Sequence, residues 1–119
     1  MTVVNEILLV EDDRDFSESL KLLLEMKNFS VVVVGSGEEA VDVYSSRSFS
    51  CVLMDIKLPG ISGLEALEQI QEINSDARIL LMTGCERGSD EVASAQMAKT
   101  IGVLYKPFRI KELLTIICN

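Results

Sequence analysis

Apolar residues along this chain fall into five short runs, each closed by a polar or turn-forming cluster. Ile7 to Val10 empties into Glu11-Asp12-Asp13, and Val31 to Val34 stops at Gly35-Ser36-Gly37. Cys51 to Met54 leads into Asp55, with Pro59-Gly60 soon after. Ile79 to Met82 ends at Thr83-Gly84, and Val103 to Tyr105 precedes Lys106-Pro107-Phe108. Runs of this length bounded by turn signals read as buried strands. Between them the apolar period changes to that of a helix. Phe16, Leu20, Leu23, Leu24 and Lys27 share one predicted face, with Asp13 or Asp15 as the cap. Ser36 and Glu39 have capping-box spacing ahead of Ala40, Val41 and Tyr44. Ser62 is expected to cap a helix bearing Leu64, Leu67, Ile70 and Ile73. Glu91 to Met97 is Ala-rich and only weakly amphipathic, while Ile110, Leu113, Leu114 and Ile117 mark a last helix. Strand and helix thus alternate five times, and the strands are apolar throughout. That pattern predicts a parallel sheet covered by helices on both faces.

Composition narrows the function. At 119 residues the chain has room for one domain with a full core. A net charge of -8 disfavours a nucleic-acid surface, which needs a basic stripe, and suits a metal ion or a basic partner. No apolar run approaches the roughly 20 residues of a membrane span, and Met1 to Glu6 lacks the features of a signal peptide. The three cysteines (Cys51, Cys85, Cys118) form no CxxC pair and there is no histidine, which argues against zinc. Reduced thiols in a cytoplasm are the plain expectation.

In a parallel sheet the carboxyl ends of the strands share one edge, where open α/β sheets place their ligand sites. Glu11, Asp12, Asp55, Thr83 and Lys106 would all meet there. Carboxylates at ~5 Å repel by roughly 3 kcal/mol per pair at an effective dielectric of about 20. Protons or a cation must offset that. Oxygen ligands alone suit a hard ion, and Mg²⁺ fits best because it retains water and favours phosphate partners. A hydroxyl and an ammonium on the same edge match the remaining phosphoryl oxygens. The chemistry indicated is phosphoryl transfer onto a carboxylate.

Leu9-Val10-Glu11-Asp12-Asp13, Leu53-Met54-Asp55-Ile56-Lys57-Leu58-Pro59-Gly60-Ile61-Ser62-Gly63-Leu64, Leu81-Met82-Thr83-Gly84 and Tyr105-Lys106-Pro107-Phe108 together resemble the receiver domain of two-component response regulators. The likeness runs in order over essentially the whole chain. It implies a flavodoxin-like (βα)5 fold, a doubly wound five-stranded parallel sheet, forming one domain over 1–119. It also implies an aspartyl phosphate at Asp55, taken from the phosphohistidine of a histidine kinase or phosphotransfer protein. Asp12, Asp55 and the backbone carbonyl of Lys57 would hold Mg²⁺, with Glu11 assisting through water. Thr83 would hydrogen-bond the phosphoryl group and Lys106 would pair with it. The Lys106-Pro107 bond looks like the family's cis peptide.

Two departures from the family pattern carry expectations. Many receivers have Tyr or Phe three residues before the active-site lysine, a ring that swings inward when the threonine reorients. Here that switch position is Val103, and the aromatic residue is Tyr105. The surface of the fourth helix and fifth strand is therefore expected to change by backbone shift alone. Lys57 and Cys85 occupy the positions that tune phosphoryl lifetime, and neither can orient an attacking water. Slow self-dephosphorylation is expected.

The leading reading is a signalling switch that acts on a downstream effector, with dimerisation on phosphorylation as one outcome. It is not a metabolic enzyme, and no nucleic acid or membrane binding is expected of the domain itself. A pseudo-receiver that no longer uses phosphate is the alternative. A phosphatase with an aspartate nucleophile is disfavoured, because Lys57 stands where that class usually has a second acid. The domain is expected to be stand-alone or part of a longer regulator or hybrid kinase, its end within the last helix favouring the second.

Overall fold

A computed structural model describes residues 5–84 and 89–118. Its elements run β1 (Asn5–Val10), α1 (Arg14–Glu25), β2 (Phe29–Val34), α2 (Gly37–Ser46), β3 (Cys51–Asp55), α3 (Gly63–Ile73), β4 (Ile79–Thr83), α4 (Asp90–Met97), β5 (Gly102–Tyr105) and α5 (Ile110–Ile117). The strands form one sheet in the order β2-β1-β3-β4-β5, and every pairing is parallel. The order reverses between β1 and β3, which opens a crevice over the carboxyl ends of those two strands.

Strand side chains alternate between two separate cores. Ile7, Leu9, Leu53 and Met82 pack with Leu20 and Leu24 of α1 and Leu113 and Ile117 of α5. Leu8, Val10, Met54 and Leu81 face the other way, onto Ala40 and Tyr44 of α2, Leu67 and Ile70 of α3 and Ala95 of α4. Burial on both sides explains why the central runs, in β3 and β4, are uniformly apolar.

The helix starts follow their polar signals. Asp13, rather than Asp15, caps α1 by accepting from the Phe16 amide at 3.2 Å. Ser36 caps α2, and Ser62 with Glu65 completes a reciprocal capping box on α3. The predicted face of α1 needs correction. Leu20 and Leu24 are buried, but Leu23 is 42% exposed and Lys27 lies beyond the helix end at Glu25. At 100° per residue Leu23 stands roughly 60° round from Leu20. The stripe buried on α1 follows Ser17, Leu20 and Leu24, and leaves Leu23 outside.

Two glycines position the loop after β3. Gly60 adopts φ +75°, a conformation that favours glycine. Gly63 begins α3 against the strand end, its amide donating to the Ile56 carbonyl at 2.8 Å. A Cβ on Gly63 would come within 2.2 Å of the Asp55 carbonyl oxygen.

Candidate functional site

Four strand ends supply the site. Glu11 directly follows β1, and its amide bonds the Val34 carbonyl at 3.0 Å, extending the ladder one residue. Asp55 closes β3 and Thr83 closes β4. Lys106 follows β5, with its amide donating to the Thr83 carbonyl at 2.7 Å. The Lys106-Pro107 peptide is cis, as the resemblance implies.

Glu11, Asp55 and Thr83 are all buried, with Glu11 only 3% and Asp55 8% exposed. Two buried carboxylates need a counter-charge, and Lys106 provides it. Its ammonium donates to Asp55 Oδ2 at 2.9 Å and also to a Glu11 carboxylate oxygen. Burial raises the pKa of the Glu11 carboxyl, although Lys106 and the Asp13 amide oppose that shift. Burial disfavours the charged form of Lys106 too. Its hydrogen bonds to Glu11 and Asp55, together with their charges, prevail and hold its pKa above the ordinary lysine value.

The ammonium has a third neighbour. The Phe16 ring lies 4.3 Å from Lys106 Nζ, measured to the ring centroid, and Phe108 meets Phe16 edge-to-face at 5.9 Å. This is cation–π geometry. Sequence spacing assigns Phe16 to the apolar face of α1, and nothing in it announces the second role.

Asp12 is exposed beside this buried pair. One carboxylate oxygen each from Glu11, Asp12 and Asp55 can lie within 4.8 Å of one another. Oxygens on opposite sides of a hard ion, bound at about 2.0–2.4 Å, are separated by about 4–5 Å. The set therefore fits one Mg²⁺ or Ca²⁺ ion in size and donor type. Asp13 is exposed and serves the helix cap.

Lys57 is exposed, and its amide donates to Asp55 Oδ1 at 3.2 Å. With Asp55, Gly84 and Lys106 it lines an open cleft of about 250 Å³. Cys85 lies outside the described residues. Val103 is half-buried against the core under α2, α3 and α4. The hydroxyl of Tyr105 accepts from the Gln96 amide of α4 at 3.1 Å, so the aromatic residue is tied to that helix.

A parallel sheet ordered 2-1-3-4-5, with acids and a lysine gathered at its switch point, defines a flavodoxin-like domain with an acidic cleft. The family model described as Response regulator receiver domain matches residues 7–118, and the chain belongs to that family. It is a receiver domain of two-component response regulators. It is 36% identical over 108 residues to the uncharacterized transcriptional regulatory protein YkoG of Bacillus subtilis (strain 168), a match covering 91% of this chain and 47% of that protein. The chain spans about half the length of the curated relatives it matches. Among solved structures it is similar to a CheY-like receiver domain protein from Methanospirillum hungatei JF-1 (TM-score 0.90, 26% identity, 98% of this chain and 92% of that one). It is also similar to the response regulator TrrA from Thermotoga maritima in complex with Mg(2+)-BeF (TM-score 0.83, 29% identity, 97% of each chain). Among the described residues, no helix is long and apolar enough to cross a membrane.

Proposed function

We propose that Asp55 is the phosphoacceptor of this receiver, that Glu11, Asp12 and Asp55 hold Mg²⁺ with the Lys57 carbonyl, and that a histidine kinase or phosphotransfer protein is the donor. The observation that carries this reading is the Lys106 ammonium seated between two buried carboxylates at the switch point. The Mg(2+)-BeF complex of TrrA, a neighbour of the same fold, supports the ion and the chemistry.

An oxygen of Asp55 attacks the donor phosphorus. The O–P bond forms as the donor's P–N bond breaks, and the released imidazole takes up a proton. Mg²⁺ supplies charge neutralisation for the phosphoryl oxygens. Lys106 pairs with one of those oxygens, leaving its partner Asp55 only as that carboxylate is esterified. The Thr83 hydroxyl, at the end of the neighbouring strand, donates to another. The Lys57 amide keeps the carboxylate aimed at the cleft by holding Oδ1. Self-phosphorylation and slow self-dephosphorylation are the only chemistry assigned, and the switched surface acts on an effector in the cytoplasm. The pseudo-receiver alternative gains no support, because all five expected edge residues are present at the strand ends.

The test is intact mass after incubation with Mg²⁺ and acetyl phosphate, with Asp55→Asn and a metal-free sample in parallel. One added phosphoryl group, absent from both controls, is expected. An adduct that survives Asp55→Asn refutes the assignment.

A further inference from the structure

A groove runs between α3 and α4 on the face away from α1. Its upper part, about 600 Å³, has Leu58 and Leu64 among its apolar lining, with Glu65, Asp90 and Glu91 on its walls. Leu64 and Ser94 continue into a lower part that adds Leu67, Glu68 and Met97. Met97 is 90% exposed, the most exposed large apolar side chain among the described residues. Carboxylates outnumber ammonium groups along the groove, and the two ammonium groups differ in their tethers. Lys99 is held at the far end by a 2.9 Å bond to the Ser75 carbonyl. Lys57 stands at the near end, 3.9 Å from Glu91, with both side chains well exposed. Such an exposed pair is weak and easily exchanged.

Lys57 also lines the cleft around Asp55, where its backbone amide bonds the carboxylate, so one residue borders both spaces. We propose that the α3–α4 groove docks a cationic amphipathic helix of a protein partner, and that phosphorylation of Asp55 tightens this docking by drawing Lys57 away from Glu91. The inference rests on the reading of Asp55 given above. An apolar floor between acidic rims fits a helix with an apolar stripe flanked by Lys or Arg. Met97, unbranched and flexible, adapts to varied apolar anchors. A phosphoryl group on Asp55 adds negative charge and acceptor oxygens within the cleft that Lys57 lines. The ammonium then exchanges a weak surface partner for a stronger one. Glu91 is left to the incoming helix, and the groove gains one net negative charge. At about 7 Å in water, one charge changes affinity about threefold.

The probe is a synthetic helical peptide with Leu at i, i+3, i+4 and i+7 and Lys on its other face. A second peptide carries Glu in place of each Lys. Binding is read by fluorescence anisotropy, and its location by amide chemical shifts, with and without Mg²⁺ and beryllofluoride. Shifts are expected at Leu58, Leu64, Glu91 and Met97, with about threefold tighter binding in beryllofluoride. Lys57→Met is expected to bind more tightly at rest and to lose the beryllofluoride step, and Glu68→Gln, which removes one charge, to weaken binding about threefold. Shifts at Leu22 and Leu23 of α1 and at Met26 just after it instead, equal binding of the Glu peptide, or no binding at millimolar peptide would overturn the groove. A beryllofluoride step that persists in Lys57→Met would overturn the coupling. Beryllofluoride uptake is followed separately by fluorine NMR. Its failure sinks the reading of Asp55 and the coupling together, while the resting protein still decides the groove.

Discussion

Replacing Lys106 with Met removes the ammonium that bonds both Glu11 and Asp55 while keeping an unbranched apolar side chain at that position. At 2.9 Å and an effective dielectric of about 20, the Lys106–Asp55 attraction alone is about 6 kcal/mol. Desolvation of the ions offsets part of it, and the Lys106 side chain is 21% exposed. Breaking such a pair by removing one partner typically destabilises by about 3–5 kcal/mol, because the remaining charge stays buried. A loss of about 3 kcal/mol is expected here in metal-free buffer at pH 7, read from urea unfolding. Mg²⁺ should restore more stability to the variant than to the parent, since the parent site already holds a positive charge. Two pH trends follow from linkage. The folded-state pKa of Glu11 is raised, so its ionised form is disfavoured in the fold and the penalty is relieved as pH falls through that value. Without Lys106 this penalty grows, and the gap between variant and parent narrows as pH falls through the raised value. The folded-state pKa of Lys106 is also raised, so its contribution in the parent is complete below about 10.5 and is lost as pH rises through the elevated value. A loss under about 1 kcal/mol at pH 7, or a gap that does not narrow on acidification, would show that Lys106 is not what keeps this acid pair folded.

Three further outcomes are open to measurement. Gly63→Ala drives a Cβ into the Asp55 carbonyl, so a loss of about 2 kcal/mol or more in urea unfolding and a slower phosphoryl transfer are expected; wild-type values for both would refute the close approach. Lys57→Asn and Cys85→Glu each place a water-orienting group where there is none, and phosphate release should accelerate by about tenfold or more. No acceleration in either protein defeats the expectation of slow self-dephosphorylation. Val103→Tyr supplies a ring at the vacant switch position and should change the difference in partner affinity between resting and beryllofluoride-bound protein, whereas equal differences would count against a backbone-only shift.

The central strands β3 and β4 were legible because every residue in them is buried. A uniform apolar run such as Ile79 to Met82, too short for a helix and closed by turn residues, fits little but a strand covered on both sides. All five strands form where the runs predict them. The edge residues were legible because a parallel sheet fixes where strand ends meet. Glu11, Asp55 and Lys106 stand far apart in sequence yet join in one hydrogen-bonded group. Other features were not legible. Which acid is buried depends on where β1 stops pairing, and Glu11 proves to be the last residue held to β2, leaving Asp12 in solvent. The buried face of α1 is narrower than its spacing predicts, because spacing alone cannot say how broad a stripe its neighbours cover. Phe16 beneath Lys106 is a contact between distant elements, and helical periodicity carries no trace of it.

The sheet keeps its two cores apart, one under α1 and α5 and the other under α2, α3 and α4. Neighbouring residues on a single strand, such as Leu53 and Met54, therefore answer to different selective environments. Substitutions on one face can accumulate without repacking the other, so the two halves can diverge at unequal rates. A chimaera that takes all the helices and inward strand positions of one face from a relative should fold, while a graft of one helix alone would disturb its own core. The carboxyl edge is the seam where both histories must remain compatible.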